Sequence, residues 1–161
     1  MLNIQMLNKV TGLEGTQHSI VPFHPKHMQM GEYRSFDHEL MNGFGKPFVA
    51  DNALDGFSFT AMSDGKIYLM FGFYPLWNGV AECWMLPCSY LDEKKLIFHK
   101  ATLKCFLHIA FVLELWRMQC YVRTTNGQAT KWIEMCYFNR EGLCRQFGPD
   151  KNDYYLYGRL F

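Results

Sequence analysis

The sequence predicts an α+β fold built on one mixed, mostly antiparallel sheet of about six to seven strands, with helices on both faces. Two turn signals, Ser63-Asp64-Gly65 and Asn78-Gly79, divide a β-rich stretch into an antiparallel meander. A strongly periodic helix then separates the meander from the next strand, and such a crossover requires a parallel pair. With 161 residues, 49% of them hydrophobic, residues 1–161 are expected to form a single domain.

The N-terminal part of the chain gives weak signals. Polar residues interrupt every apolar run in residues 1–17, which are predicted to be poorly ordered or extended. A first strand is expected in HSIVPFHP, residues 18–25, because its short apolar core ends at a proline. One or two short helices should follow, since apolar residues recur there at helical spacings: Tyr33, Phe36, Leu40 and Met41.

The remaining elements are easier to place. The meander strands are predicted at Gly56–Ala61, Ile67–Phe73 and Val80–Leu86. The wide apolar stripe of the long helix predicts residues His99–Trp116, and the alternation of MQCYVR predicts a strand at Met118–Arg123. Asn126 is suited to cap a short helix. That helix is predicted at Gln128–Met135, with two strands after it at Tyr137–Arg145 and Asp153–Leu160.

Composition narrows the classes of function. A net charge of +1 and a pI near 7.6 argue against a nucleic-acid partner. The longest apolar run is far below the ~20 residues of a membrane span, and no secretory signal is readable, so a soluble cytoplasmic protein is expected. The six cysteines lack CxxC spacing and are expected to be free, buried thiols. His24 and His27 are interpreted as loop histidines, and no metal is expected.

The C-terminal third carries a recognisable pattern. An asparagine, Asn126, precedes a helix that contains Trp132, Ile133 and Glu134; Arg140-Glu141-Gly142 follows, and the chain closes with Asp153 and Tyr157. Over about 35 residues this sequence pattern resembles that of the GNAT-family N-acetyltransferases, especially the branch of the ribosomal-protein N-terminal acetyltransferases. The predicted element order extends the resemblance to most of the chain.

The resemblance implies an enzyme that uses acetyl-CoA and acetylates an amine, either a protein N-terminus or a small amine. It implies that Asn126 hydrogen-bonds the pantetheine part of the cofactor. It also implies that the backbone at Met85, Leu86 and Cys88 steadies the thioester carbonyl. Glu82 is the candidate general base, because related enzymes place a glutamate on this strand. The alternative for Glu82 is an edge-strand or cross-strand ion-pair carboxylate.

The chain departs from the family in the loop that holds the pyrophosphate. The family uses glycines there so that backbone N–H groups can approach the phosphates, but no glycine lies between Gly79 and Gly127. Lys94, Lys95 and Lys100 are candidates to bind the phosphates directly; the alternative is a solvated charged loop. Two smaller departures are Tyr137, where the family has glycine, and Ile133 or Trp132, where many members have a tyrosine that acts as general acid.

These departures leave a second hypothesis open. The chain could be a catalytically silent relative that serves as an assembly or virion-associated component of a bacteriophage, as the resemblance to short phage proteins with degraded cofactor loops implies. Its partners would then be other structural proteins, and it would also occur in virions. A homo-oligomer is compatible with either hypothesis, and the acceptor amine is not readable from the sequence.

Overall fold

The computed structural model describes residues 2–33, 53, 56–149 and 151–161. The helices of this part are α1 (Ile4–Thr11), α2 (Pro25–Met30), a 3-10 helix (Ser89–Lys94), α3 (Lys95–Val112) and α4 (Gly127–Met135). The strands are β1 (His18–Pro22), β2 (Ser58–Ser63), β3 (Lys66–Trp77), β4 (Val80–Pro87), β5 (Arg117–Arg123), β6 (Asn139–Cys144) and β7 (Tyr154–Leu160). The helices expected around Phe36, Leu40 and Met41 lie outside the described residues.

The seven strands form one mixed sheet in the order β1-β2-β3-β4-β5-β7-β6, which confirms the predicted fold class. Pairing is antiparallel for β1–β2, β2–β3, β5–β7 and β6–β7, and parallel for β4–β5. The predicted crossover through the long helix is therefore present. By its internal contacts the chain divides into two compact units, Met1–Phe73 with Met85–His108, and Tyr74–Trp84 with Ile109–Phe161.

In the first unit, the N-terminal segment corrects the prediction for residues 1–17. It contains a helix, α1, whose start is capped by the Asn3 side chain and whose end is formed by Gly12 at φ 80°. Leu7 is fully buried, and the Asn8 amide bonds both the N–H and the C=O of Ile20, at 2.7 and 2.8 Å. Asn8, one of the polar residues that interrupted the apolar pattern, therefore satisfies the edge strand β1, while the buried Thr11 hydroxyl donates to the Leu7 carbonyl of its own helix at 2.7 Å.

His24 and His27 also have a structural role that the sequence analysis missed. They form the capping box at the start of α2, and the His27 Nδ1 atom lies 2.9 Å from the Thr60 hydroxyl. Within the described residues no group of three or more His, Cys, Asp or Glu side chains is placed to hold a metal ion.

The predicted turn and the long helix of the first unit have clear local causes. Asp64 and Gly65 have φ of 50° and 76°, the pair of positive values that a type I′ turn between β2 and β3 requires. Two phenylalanines of α3 pack on β3: Phe98 stacks on Tyr68 at 5.1 Å between ring centroids, and Phe106 meets Phe73 edge-on at 6.3 Å. The predicted helix began four residues too late, at His99 rather than Lys95.

The second unit contains the end of α3, and this end was also misplaced by the prediction. The helix stops at Val112 rather than Trp116, because Glu114 adopts a left-handed φ of 52° and the Leu115 N–H donates to the Ala110 carbonyl at 2.8 Å. The rest of this unit follows the prediction closely. Asn126 caps α4 as expected, and its side-chain oxygen accepts from the Ala129 N–H at 3.1 Å.

Tyr137 makes the turn from α4 to β6 in a strained conformation. Its φ is 65°, and its side chain is 67% exposed, 5.5 Å from the Arg159 guanidinium. A left-handed residue with a Cβ costs roughly 1–2 kcal/mol, which glycine avoids. The glycine of the resembled family is therefore explained by this turn.

We expect Tyr137→Gly to stabilise the protein by about 1 kcal/mol and to raise the melting temperature by a few degrees. Tyr137→Ala is the matched control, since it removes the ring and keeps the strain. Thermal melting of the three proteins measures the difference. An alanine variant as stable as the glycine variant would contradict the backbone explanation.

Candidate active site

Glu82 lies on an inner strand of the sheet, in the second unit. The parallel register pairs Val80 with Arg117 and Glu82 with Gln119, so the two side chains of the second pair project from the same face. Strand β4 lies between β3 and β5 in the sheet, which excludes the edge-strand alternative for Glu82. The side chain is half-buried.

The surroundings of Glu82 favour its protonated form more than water does. Burial raises the pKa of the Glu82 carboxyl, and a hydrogen bond from the Gln119 side chain opposes part of that rise. Tyr74 and Tyr121 have raised pKa values, first because they are buried and then because of the nearby Glu82 charge. A carboxylate with a raised pKa among phenols is suited to accept a proton near neutral pH.

Gln119 is itself held by an arginine. Arg117 Nε donates to Gln119 Oε1 at 3.3 Å, while its two terminal nitrogens donate to the Glu141 carboxylate at 2.9 and 2.5 Å. This bidentate pair raises the pKa of Arg117 and lowers that of Glu141. Glu82, Gln119, Arg117 and Glu141 therefore form one continuous chain of polar contacts, and only Glu82 was identified from the sequence.

An aromatic wall adjoins this chain of contacts. The Tyr121 ring stacks on Phe147 with centroids 4.2 Å apart and planes 19° apart, and Tyr154 meets Phe147 edge-on at 5.6 Å. Phe147 is 52% exposed. It precedes the turn at Gly148 and Pro149 that joins β6 to β7. The Glu82 charge acts on Tyr121, so an exposed ring stacked on Tyr121 is suited to contact the apolar part of a molecule bound near this carboxylate.

The opposite face of β4 and β5 is apolar and chemically inert. Cys83 has a pKa well above its usual range because it hydrogen-bonds to Cys120 and is buried, and burial raises the pKa of Cys136 to about 12. All six cysteines are free and five of them are buried, as predicted, but Cys144 is partly exposed. Neither Cys83 nor Cys88 is placed as a nucleophile.

The predicted thioester-binding residues lie at the C-terminal end of β4 and just beyond it, in the first unit. Leu86 and Cys88 are buried, and Met85 is partly buried. The Cys88 N–H donates to the Tyr68 carbonyl at 2.9 Å, so this amide already has an acceptor. The next amide, that of Ser89, donates to the Glu32 carbonyl at 2.7 Å. Backbone donors at the start of the 3-10 helix are thus used within the fold.

The three predicted phosphate-binding lysines differ in their surroundings. Lys94 forms a salt bridge with Asp64 at 3.0 Å and donates to the Ser63 hydroxyl at 3.1 Å, so its ammonium is already paired. Lys95 and Lys100 are exposed. Five residues on a helix correspond to a rotation of about 140°, so Lys95 and Lys100 point to different sides of α3. The structure does not bring the three ammoniums together.

Side chains of the 3-10 helix that precedes α3 are also engaged within the fold. Tyr90 donates to the Glu32 carboxylate at 2.6 Å, and the Tyr68 hydroxyl donates to Glu93 at 3.4 Å. Of the predicted phosphate ligands, exposed Lys95 at the first residue of α3 fits an anionic group best. No helix among the described residues is long and apolar enough to cross a membrane.

Comparison with known proteins relates this arrangement to one fold. No family model matches the sequence, and no curated protein matches it. Solved structures do match. Ard1 from Thermoplasma volcanium superposes with a TM-score of 0.73 at 14% identity, covering 90% of this chain and 98% of its own. A GNAT-family acetyltransferase from Bacillus anthracis gives 0.68 at 16% identity, covering 89% and 95%.

A variant of the SpeG spermidine N-acetyltransferase from Vibrio cholerae gives a TM-score of 0.62 at 17% identity, covering 89% of this chain and 94% of its own. At such identities the likeness concerns the fold. It agrees with the strand order, the parallel β4–β5 pair and the crossover helix described above. The chain therefore has the fold of the GNAT-family acetyltransferases.

Proposed function

We propose that the protein is an N-acyltransferase that transfers an acetyl group from acetyl-CoA to an amine, either a protein N-terminus or a small amine. The observation that carries the proposal is the half-buried Glu82 on β4 of this fold, held by Gln119 and bordered by two tyrosines. Such a carboxylate is suited to take the proton that an amine loses as it attacks a thioester. Six free cysteines are consistent with a reducing compartment such as the cytoplasm.

Each residue in the proposal has a separate task. Glu82 accepts the proton of the acceptor amine, directly or through one water molecule. The Tyr121–Phe147 stack contacts the acceptor beside the amine. Many family members have a proton-donating tyrosine at the position of Ile133 or Trp132, and neither of these side chains can donate the proton; Ile133 is also buried in α4. The departing thiolate would then take its proton from solvent.

Acetyl-CoA would be held by two sets of residues predicted from the sequence, one for its phosphates and one for its pantetheine and thioester part. Acetyl-CoA supplies the activated acetyl group as a thioester. In the first unit, Lys95 supplies positive charge for the phosphates, whereas Lys100 points to a different side of α3. In the second unit, the Asn126 amide supplies a hydrogen bond to the pantetheine part. Met85 and Leu86 offer apolar surface. Lys94 would have to leave Asp64 before it could take part.

Acetyl-CoA is expected to stabilise the protein against heat. At a concentration of ~100 times its dissociation constant, a ligand that binds only the native state adds about 2.7 kcal/mol, which raises the melting temperature by several degrees. The measurement is thermal melting with and without millimolar acetyl-CoA, with ATP at equal concentration as a control for anion effects. No shift, or the same shift with ATP, would contradict the proposal.

The Asn126 variant for this experiment must preserve the helix cap. Asn126→Ala removes the cap oxygen of α4 together with the amide donor, so any loss of binding would be ambiguous. Asn126→Ser keeps a capping oxygen and removes only the carboxamide. A shift that persists in Asn126→Ser would remove Asn126 from the cofactor site.

The second hypothesis, a silent component of a phage virion or assembly, gains no support from the comparisons. The solved structures named above are described as acetyltransferases or as Ard1. The occupied amides at Cys88 and Ser89 are the feature that agrees with it best. The melting experiment separates the two hypotheses, because a silent relative with no cofactor site gives no shift.

A further inference from the structure

We propose that Gln119 is the positioning residue for the Glu82 carboxylate, and that Arg117 and Glu141 fix the orientation of Gln119. The inference rests on the proposed function only in the role it gives to Glu82. The contacts themselves are properties of the fold, which lets the proposal be tested without cofactor or substrate.

The orientation of the Gln119 amide follows from its two neighbours. Its oxygen accepts from Arg117 Nε at 3.3 Å, so its NH₂ group is left to donate to Glu82. The flipped amide would place its oxygen against the carboxylate and its NH₂ against the guanidinium. Both contacts would then be repulsive, so the arginine selects the orientation that supports the charged form of Glu82.

Arg117 is held in turn by Glu141, across an intervening strand. Arg117 lies on β5 and Glu141 on β6, and β7 runs between the two. Glu141 stands at a break in the β6–β7 register between Arg140 and Gly142, the kind of bulge that turns a side chain in a new direction. The carboxylate thereby reaches both terminal nitrogens of Arg117.

Gly158 of β7 gives this ion pair the room to cross the strand. It pairs with Gln119 on one side and with Asn139 on the other. A Cβ at this position would collide with the Glu141 carboxylate and would approach Arg117 Nη1 to 2.9 Å. The orientation of the Gln119 amide therefore depends on three adjacent strands: the bulge in β6, Gly158 in β7 and Arg117 in β5.

Several titratable or charged groups act on Glu82 besides Gln119. Among the described residues these are Tyr74 from β3, Cys83 from β4 and Tyr121 from β5. Arg117 acts on Glu82 through its hydrogen bond to Gln119. Substitution of a charged member of the chain therefore changes the field at Glu82 as well as the amide orientation. The test must separate these two effects.

The experiment is a titration of the Glu82 carboxyl carbon by NMR in the ligand-free protein, assigned with Glu82→Gln. In Gln119→Leu the midpoint is expected to shift to higher pH, because a hydrogen bond to the charged form is lost. Arg117→Lys preserves the charge and removes the Nε donor, so it should shift the midpoint in the same direction by less. In the Gln119→Leu background Arg117→Lys should add nothing, since it acts through Gln119.

Glu141→Gln gives the most discriminating result. Removal of a nearby negative charge, by Coulomb's law alone, lowers the midpoint of Glu82. Loss of the Gln119 amide orientation, by contrast, raises the midpoint of Glu82. We expect a shift to higher pH, and a shift to lower pH or none would overturn the proposal. This substitution is on the exposed edge strand β6, so it also serves if Gln119→Leu does not fold.

Additive shifts of Arg117→Lys and Gln119→Leu would likewise overturn the proposed order of action. The outcome is independent of the acetyl-CoA melting experiment. A protein that fails to bind acetyl-CoA but shows these shifts would retain the positioning chain and lose the proposed reaction. A protein that binds acetyl-CoA without the shifts would retain the reaction and lose the chain.

Discussion

Glu82→Gln is expected to lower kcat/KM for acetyl transfer by roughly 10²- to 10⁴-fold, the usual contribution of a positioned general base. Glutamine has nearly the same shape and still pairs with Gln119, but it cannot accept a proton. The affinity for acetyl-CoA should therefore stay close to that of the wild type. A loss confined to turnover identifies a group that acts in the transition state.

The measurement is the release of free thiol during acetyl transfer, followed over pH with a panel of amines and peptide N-termini. Glu14→Gln, which changes an exposed glutamate, is the matched control. Because burial raises the pKa of Glu82, the wild-type rate should fall on the acid side at a higher pH than an exposed glutamate would give. Unchanged turnover in Glu82→Gln would show that the proton leaves by another route.

Gly79→Ala should destabilise the fold by about 2–3 kcal/mol. Gly79 has φ of 78°, which alone costs an alanine roughly 1–2 kcal/mol. A Cβ there would also lie 2.1 Å from ring carbons of Trp116, so the indole must move. Displacement of a packed group commonly costs 1–3 kcal/mol, and the 57% exposure of Trp116 places this displacement at the low end of that range. The Gly79 carbonyl accepts from the N–H groups of Trp116 and Arg117, at 2.9 and 3.1 Å, so the start of β5 would be disturbed as well.

Thermal melting tests this prediction, and a fall on the order of 10 °C is expected for a chain of this length. Gly127→Ala is the matched control. A Cβ at Gly127 would meet nothing within 4 Å, and the residue is the first of α4, where alanine is favourable. The control should melt at or above the wild-type temperature. If Gly79→Ala melts at the same temperature as the control, the Trp116 indole moves aside at no cost in stability.

The sheet was predictable because its signals are local. Asp64-Gly65 and Asn78-Gly79 mark turns by their own conformational preferences, and the alternation of MQCYVR identifies a strand without reference to its neighbours. The cap at Asn126 is local in the same way. The α1 helix was missed for the opposite reason. Its value to the fold lies in the bonds that Asn8 makes to Ile20, twelve residues away, and composition does not reveal such bonds.

The candidate site depends on register, which explains what the sequence did not reveal about it. Glu82 was identified from the family resemblance, which implies a glutamate on this strand. Gln119 becomes its neighbour only through the parallel pairing of β4 with β5. Glu141 reaches Arg117 only because of a one-residue irregularity in β6. A shift of one residue would turn each of these side chains to the other face, and no local pattern fixes that shift.

The distribution of the cysteines offers a practical use. Five thiols are buried and Cys144 is partly exposed, so a maleimide reagent has one accessible target in the folded chain and five more once it opens. The added mass after a timed exposure therefore counts how many molecules have opened, with no engineered label. This single mass measurement ranks the variants described above by their kinetic stability.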